Sequence, residues 1–124
     1  MSIAMALVVA LAFIEGSWMT FDGTRALIVG DYVTPRAGAH AGQLGPWHHL
    51  VSVVGIAPRS DAMKLIFIAY GIGWLVIAVG LLRGAPWAWM AAMIAAIATL
   101  WYLPIGTLCS LIQIASLLWI RRAA

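Results

Sequence analysis

Residues 65–103 read LIFIAYGIGWLVIAVGLLRGAPWAWMAAMIAAIATLWYL, and this stretch decides the class of fold. It contains two apolar runs, residues 65–82 and residues 86–103. A membrane-spanning helix needs roughly 20 mostly apolar residues, so each run is long enough to cross a bilayer. Gly84 suits the end of one helix, and Pro86 suits the first turn of the next. The stretch therefore predicts two spans joined by a tight turn.

Two further apolar runs, residues 3–21 and residues 106–120, extend this pattern toward the chain ends. The first contains one charged residue, Glu15. The second is followed by Arg121 and Arg122, whose long side chains can reach the membrane interface. The four runs together predict an all-α membrane protein, a bundle of four transmembrane helices in a single domain.

The third and fourth runs are separated by Pro104 and Gly106, which are typical of a break between helices. The alternative is one kinked helix over residues 87–120. At 1.5 Å per residue it would be about 50 Å long, whereas the hydrocarbon core is ~30 Å thick. We therefore expect a short hairpin connection at this point.

The composition agrees with a membrane protein. Hydrophobic residues make up 65% of the 124 residues and charged residues 9%, whereas soluble domains have roughly 45–50% and about 25%. The net charge of +3 comes from scattered basic residues, which suits lipid headgroups and gives no reason to expect nucleic acid binding. A single cysteine, Cys109, excludes an intramolecular disulfide.

The long connection between the first two spans, residues 22–64, contains a second helical pattern. Within residues 46–56, apolar residues occur at i, i+3, i+4 and i+7, namely Trp47, Leu50, Val51 and Val54. The segment is too short to span a membrane. We predict an interfacial or re-entrant helix that caps one end of the bundle and presents Trp47, His48 and His49. Residues 26–29 are predicted as a separate, brief ordered piece.

Four spans place both termini on one side of the membrane, together with the basic residues Arg83, Arg121 and Arg122. The long connection carries four further basic residues, Arg25, Arg36, Arg59 and Lys64. Because long loops count less in the positive-inside rule, we expect cytoplasmic termini in a cell inner membrane. No basic residue precedes the first apolar run, and the run is longer than the core of a signal peptide. We expect it to be a retained helix.

Glu15 is the strongest candidate for chemistry because a charge inside a span costs several kcal/mol and must face the bundle interior. Asp22 follows seven residues later, on nearly the same helical face. A buried carboxylate of this kind can exchange protons or hold a cation. The alternative is a structural role near the interface, with Glu15 protonated or paired with a basic residue such as Arg25.

The fourth span carries a polar stripe on one arc of the helix, formed by Gly106, Cys109, Ser110, Gln113 and Ser116. The stripe predicts either hydrogen bonds between packed helices or a wall that faces a ligand, with Ser110 and Gln113 as the ligand-binding candidates.

Small residues at four-residue spacing predict close helix packing, within the bundle or in a homodimer. One row belongs to the third span, Ala88, Ala92 and Ala96, and another to the second, Ala69 and Gly73.

Three histidines, His40, His48 and His49, raise the question of a metal site. Neighbouring histidines on a helix diverge by roughly 100° and do not converge on one ion. The sequence has no HExxH motif and no second cysteine. We expect no metal and no cofactor.

The segments FIEGSWMTFDG, GDYVTP, GQLGPW and LWYLPIGTL together resemble a pattern in small, uncharacterised bacterial membrane proteins. This resemblance covers most of the chain and implies a four-helix inner-membrane protein, without an activity. The length, the four spans and Glu15 in the first helix are also similar to small multidrug-resistance transporters. Those proteins have short connections, unlike residues 22–64 here.

Three functions remain open from the sequence. The first, which requires no particular chemical role for any residue, is an accessory membrane protein that binds a lipid-like or hydrophobic ligand, or a partner membrane protein. The second is a proton-coupled transporter of small molecules that uses Glu15. The third is an intramembrane enzyme acting on an apolar substrate through Glu15, Asp22 and one of His48 or His49, which must converge within hydrogen-bond reach.

Overall fold

A computed structural model describes residues 1–34, 42–102 and 104–123. All regular structure in these residues is helical, which confirms the all-α part of the prediction. The five helices are α1 (Ile3–Val29), α2 (Trp47–Val53), α3 (Asp61–Leu82), α4 (Ala88–Ala98) and α5 (Ile105–Ala123).

The two longest helices, α1 and α3, begin at serine caps. The hydroxyl groups of Ser2 and Ser60 accept hydrogen bonds from the backbone N–H groups of Met5 and Met63, at 3.1 and 3.2 Å. Each bond satisfies one of the backbone donors that a helix N-terminus leaves unpaired. α1 ends at Gly30, where the φ angle of 108° favours glycine.

The four longer helices pack in a ring, in which α1 and α4 each contact both α3 and α5. Successive members of the ring run in opposite directions. We call the end that carries α2 the cap end. There the ammonium group of Lys64, in the first turn of α3, donates a hydrogen bond to the Gly30 carbonyl at 3.3 Å. The chain termini and the turn at Arg83 lie at the opposite end.

Glycines bring α1 and α3 unusually close together. A Cβ atom at Gly71 would lie 2.7 Å from the carbonyl oxygen of Gly16 and would collide with the backbone of Thr20. A Cβ atom at Gly23 would lie 2.8 Å from the carbonyl oxygen of Lys64. The two backbones are therefore in contact through positions where only glycine fits.

The predicted small-residue rows have different outcomes. Ala88, Ala92 and Ala96 are buried against the rest of the bundle. Ala69 is exposed, and a Cβ atom at Gly73 would meet nothing within 4 Å. The second row therefore packs against no described helix of this chain, and the glycine contact of α3 lies at Gly71 instead.

An apolar cluster fills the bundle toward the opposite end. Its buried members come from all four longer helices: Val8, Val9, Ala12, Trp74, Ile77, Ala78, Leu81, Ala88, Ala92, Ala96 and Leu117. In water, the burial of apolar surface is the main force that holds such helices together. In lipid, close packing between the helices takes over this role.

The helix boundaries differ from the predicted runs most strongly in α1 and α4, and α3 also begins earlier, at Asp61. α1 continues to Val29, so residues 26–29 form its last turn and are not a separate piece. α4 has 11 residues, about 16 Å of helix, and ends before Thr99. The Thr99 hydroxyl donates to the Ala95 carbonyl and accepts from the Trp74 indole N–H, and the chain then continues in turns.

Two helices, α1 with 27 residues and α3 with 22, are long and apolar enough to cross a membrane. α4 is apolar but shorter, and α5 has 19 residues.

The predicted cap helix is present as α2, which has seven residues. Trp47 and Val51 are buried, whereas Leu50 and Val54 are exposed. Half of the apolar face that the sequence predicts therefore packs against the bundle. The other half is open.

The buried half of α2 joins an aromatic cluster at the cap end, formed by Tyr32, Trp47, Phe67, Trp101 and Tyr102. The Trp47 ring is central, with its centroid 4.9 Å from Phe67 and 5.5 Å from Tyr32. Tilted and edge-on ring pairs at such distances add to the stability that burial alone provides.

Candidate functional site

Glu15 lies in the interior of the bundle, with 4% of its surface exposed. Cys109 and Gln113 of α5 lie beside its carboxyl group. Neither carboxyl oxygen is in hydrogen-bond geometry with another group among the described residues. The prediction that this acid faces the interior is confirmed, and the structure shows a buried carboxyl group without a polar partner.

The side chains around Glu15 are also polar, and some of their groups lack a hydrogen-bond partner. Gln113 is fully buried, and its amide donates a long hydrogen bond of 3.4 Å to the Val8 carbonyl. The Gln113 side-chain oxygen and the Ser110 hydroxyl have no partner among the described residues. We call Glu15, Cys109 and Gln113 the polar cluster, and Ser110 is a further buried polar residue of α5.

The polar cluster contains more hydrogen-bond acceptors than donors when Glu15 is ionised. Each unsatisfied buried polar group costs about 1–3 kcal/mol. A proton on Glu15 turns one acceptor into a donor, which can serve the neighbouring Gln113 oxygen. The arrangement therefore favours the uptake of a proton or of a ligand that donates hydrogen bonds.

Asp22 lies two turns along α1 from Glu15 and is equally buried. Its carboxylate accepts a 2.6 Å hydrogen bond from the backbone N–H of Val33. Asp22 lines a cavity of about 180 Å³ at the cap end, which we call the Asp22 cavity. Its other lining residues are Trp18, Tyr32, Val33, Leu44, Gly45, Trp47, Tyr102, Pro104 and Ile105.

Two residues of this cavity, Trp18 and Tyr102, are joined by a hydrogen bond of 3.0 Å from the indole N–H to the phenol hydroxyl. The sequence did not single out either residue as part of a site. The sequence offered one indication that Trp18 could belong to the site, namely its position on α1 about one turn from both Glu15 and Asp22. That signal does not identify a partner 84 residues away.

Arg25 does not pair with Glu15, as one structural interpretation of the sequence required. Its guanidinium donates to the Asp31 carbonyl at 2.9 Å. The Asp31 side chain pairs instead with Arg59, also at 2.9 Å. Partial burial raises the pKa of Asp31. Hydrogen bonds from Arg59 and from the Tyr32 N–H, with the charges of Arg59 and Lys64, outweigh that effect and lower the pKa overall.

His48 and His49 line a different cavity from Asp22, although Leu44 lines both. They line a cavity of about 550 Å³ with Gly42, Gln43, Leu44, Ala57, Pro58 and Arg59. Their rings stack with centroids 3.9 Å apart, and His48 Nδ1 lies 2.6 Å from the Gly45 carbonyl oxygen. The described residues thus do not bring a histidine to Glu15 or Asp22 in a shared cavity.

Within residues 1–34, 42–102 and 104–123, no three His, Cys, Asp or Glu side chains are grouped to hold a metal ion. His40 lies outside the described residues.

A third cavity, of about 500 Å³, is almost entirely apolar. We call it the apolar groove. It opens between α2 and α3 and is lined by Leu50, Val51, Val53, Val54, Ile56, Met63, Ile66, Tyr70 and Trp101. The exposed half of α2 forms one wall, so the open apolar side chains of that helix face this groove.

The structure places one predicted ligand-binding residue, Gln113, beside Glu15, buries Ser110 without a partner among the described residues, and places Asp22 at a separate cavity. Trp47 belongs to the aromatic cluster that supports α2. Comparison with protein-family models, with curated proteins and with solved structures gives no match. The function must therefore be argued from the geometry of the site.

Proposed function

We propose that this chain is a small multi-pass inner-membrane protein in which all four longer helices cross the bilayer. Support comes from the apolar residues that each of them exposes, such as Ile14, Val76, Ile94 and Leu111. Such a surface suits lipid and is unusual for a soluble protein. The basic residues at the end opposite the cap favour cytoplasmic termini.

We propose that this protein binds a lipid-like hydrophobic ligand in the apolar groove. A volume of about 500 Å³ falls within the range of roughly 300–1,000 Å³ that is typical of small-molecule sites. In a four-span arrangement the cap end lies near the membrane interface, where the headgroup-proximal part of an acyl chain has direct access to the groove.

The polar atoms at the edge of the groove favour an apolar occupant. The Tyr70 hydroxyl donates to the Ala98 carbonyl at 2.6 Å and accepts from the Trp101 indole N–H at 3.1 Å. Both groups are therefore already engaged by protein partners. A ligand gains little from them by hydrogen bonding, and its affinity must come from apolar contact.

A pair of matched valine variants tests ligand binding. Val54 lines the groove and is 72% exposed, whereas Val29 is 67% exposed at the same end and lines no described cavity. Because Val54→Asn places an amide where apolar contact is needed, we expect oleate to bind about fivefold more weakly, a loss of about 1 kcal/mol. Val29→Asn should bind like the wild type. Native mass spectrometry in a mild detergent measures both, and equal binding by all three proteins would contradict the proposal.

A second candidate function is proton-coupled transport of a small cation, because Glu15 is buried with two carboxyl oxygens that lack partners. One group would take up a proton and a cation in turn.

The transport proposal predicts that Glu15→Gln abolishes the pH-dependent uptake of ethidium into liposomes, because the amide cannot titrate. The matched control is Asp61→Asn, at an acid of α3 whose side chain is 86% exposed. It should transport normally. Uptake that persists in Glu15→Gln would exclude this function while leaving the apolar groove unaffected.

A further inference from the structure

The two sides of Glu15 differ in a way that gives a direction to proton exchange. Toward the opposite end, α1 contributes Ala12 and Val8 and α5 contributes Leu117, all of which are fully buried members of the apolar cluster. Proton transfer needs water or titratable side chains along its path, and these apolar side chains supply neither. Gln113 and Ser116 are buried polar side chains on this side, but among the described residues no titratable side chain is buried between Glu15 and the opposite end.

Toward the cap end, both helices that hold the polar cluster lead to the Asp22 cavity. On α1, Trp18 lines the cavity and lies about one turn from Glu15. On α5, Ile105 lines the cavity, and Cys109, one turn further, lies beside the carboxyl group. Glu15 is thus about one helical turn, roughly 5 Å, beyond the floor of this cavity.

We propose that the Asp22 cavity is the proton entrance to Glu15, and that Glu15 exchanges protons with the cap side alone. This inference rests on Glu15 being a proton site, as the second proposed function requires. It is independent of the apolar groove. The Trp18 and Tyr102 side chains, joined by their hydrogen bond, form the boundary between the cavity and the polar cluster.

The transfer has two steps, and each conserves charge. A hydronium ion in the cavity gives its proton to the Asp22 carboxylate and leaves as water. Because the two acids are about 10 Å apart along α1, the Asp22 carboxylic acid then gives its proton to an intervening hydroxyl group or water, which releases another proton to the Glu15 carboxylate, and Asp22 becomes ionised again. The Tyr102 hydroxyl lies within electrostatic range of both carboxylates. It can relay the proton by accepting one and releasing its own.

The charged and titratable groups around this path leave the two acids as the proton carriers. On α1, Arg25 donates to the Asp31 carbonyl, and on α3, Lys64 donates to the Gly30 carbonyl. On the loop after α1, burial raises the pKa of Tyr32, so its hydroxyl stays protonated. α4 has no titratable side chain. From α5, the Cys109 thiol faces Glu15 directly.

Infrared difference spectroscopy on protein in liposomes tests the entrance. A step to acidic pH on the cap side should produce a carboxylic-acid band that Glu15→Gln lacks and Glu15→Asp keeps. Asp22→Asn should retain this band but slow its appearance roughly a hundredfold, because a positioned acid no longer delivers the proton. Asp61→Asn, the exposed control, should respond at the wild-type rate.

The outcomes separate the two ideas. The Glu15 band could appear at the wild-type rate in Asp22→Asn, or could follow a pH step on the side of the termini. Either result would show that Glu15 is a proton site but that the Asp22 cavity is not its entrance. If the wild type shows no band that depends on Glu15, the proton site itself is wrong and the transport proposal fails with it. Thermal unfolding of each variant establishes that it is folded.

Discussion

Gly71→Ala should lower the free energy of unfolding by about 1–3 kcal/mol, the range for an extra group forced into a tightly packed site. The added Cβ atom would meet the backbone of Thr20 and the carbonyl oxygen of Gly16. Because these are backbone atoms, no side chain can rotate away, and α1 must separate from α3. Unfolding by denaturing detergent, followed by circular dichroism in micelles, measures the loss.

Gly73→Ala is the matched control, since it makes the same substitution two residues later in the same helix. A Cβ atom at Gly73 meets nothing within 4 Å. Alanine also favours helix over glycine by about 1 kcal/mol, so the control should be neutral or slightly more stable. Equal destabilisation by both substitutions would show that the effect comes from the helix itself and would contradict the close contact.

The difference between Gly71 and Gly73 also shows where sequence reasoning reached its limit. Spacing alone identified a row of small residues on α3, Ala69 and Gly73, but a helix has several faces and the sequence does not say which one meets a neighbour. Gly71 lies on the face toward α1, and that face is fixed only by packing. The close contact depends on the bundle as a whole.

The limit of α4 has a similar explanation. Hydropathy predicted a span up to residue 103 because the residues up to that point are mostly apolar. The helix ends before Thr99, whose hydroxyl bonds to the backbone of Ala95 and to the Trp74 indole. A partner from another helix therefore fixes this boundary, and a count of apolar residues does not contain that information.

The interior acid was predictable because the cost of a buried charge leaves few options for its position. Because Glu15 is the one charged residue in an apolar run, it must face the interior of the bundle. The polar arc of α5 must then face Glu15 to provide hydrogen-bonding groups. The same physics explains why Gln113 lies beside Glu15. The Asp22 cavity was not predictable, because Trp18 and Tyr102 meet only after α5 has packed against α1.

The cap and the bundle interior depend on each other through the aromatic cluster. Tyr102 belongs to this cluster and also lines the Asp22 cavity, and Trp101 belongs to it and lines the apolar groove. A change in how α2 is seated would therefore alter both cavities. The position of the short helix therefore connects the shape of the groove with that of the Asp22 cavity.

Trp47→Ala should be the most damaging change at the cap end, with a loss of about 3–5 kcal/mol in the free energy of unfolding. The indole is buried and contacts Phe67 at 4.9 Å and Tyr102 at 6.1 Å between ring centroids. Its removal leaves a cavity that the surrounding rings cannot fill. α2 has only seven residues and cannot hold its position through Val51 alone.

Trp119→Ala is the control, since this tryptophan is 66% exposed on α5 and lies outside the aromatic cluster. It should change the free energy of unfolding little. Hydrogen–deuterium exchange then separates a local effect from a global one, because only Trp47→Ala should release the amides of α2. If those amides remain protected, the indole does not seat the helix. The proposed connection between the groove and the Asp22 cavity would then lose its physical basis.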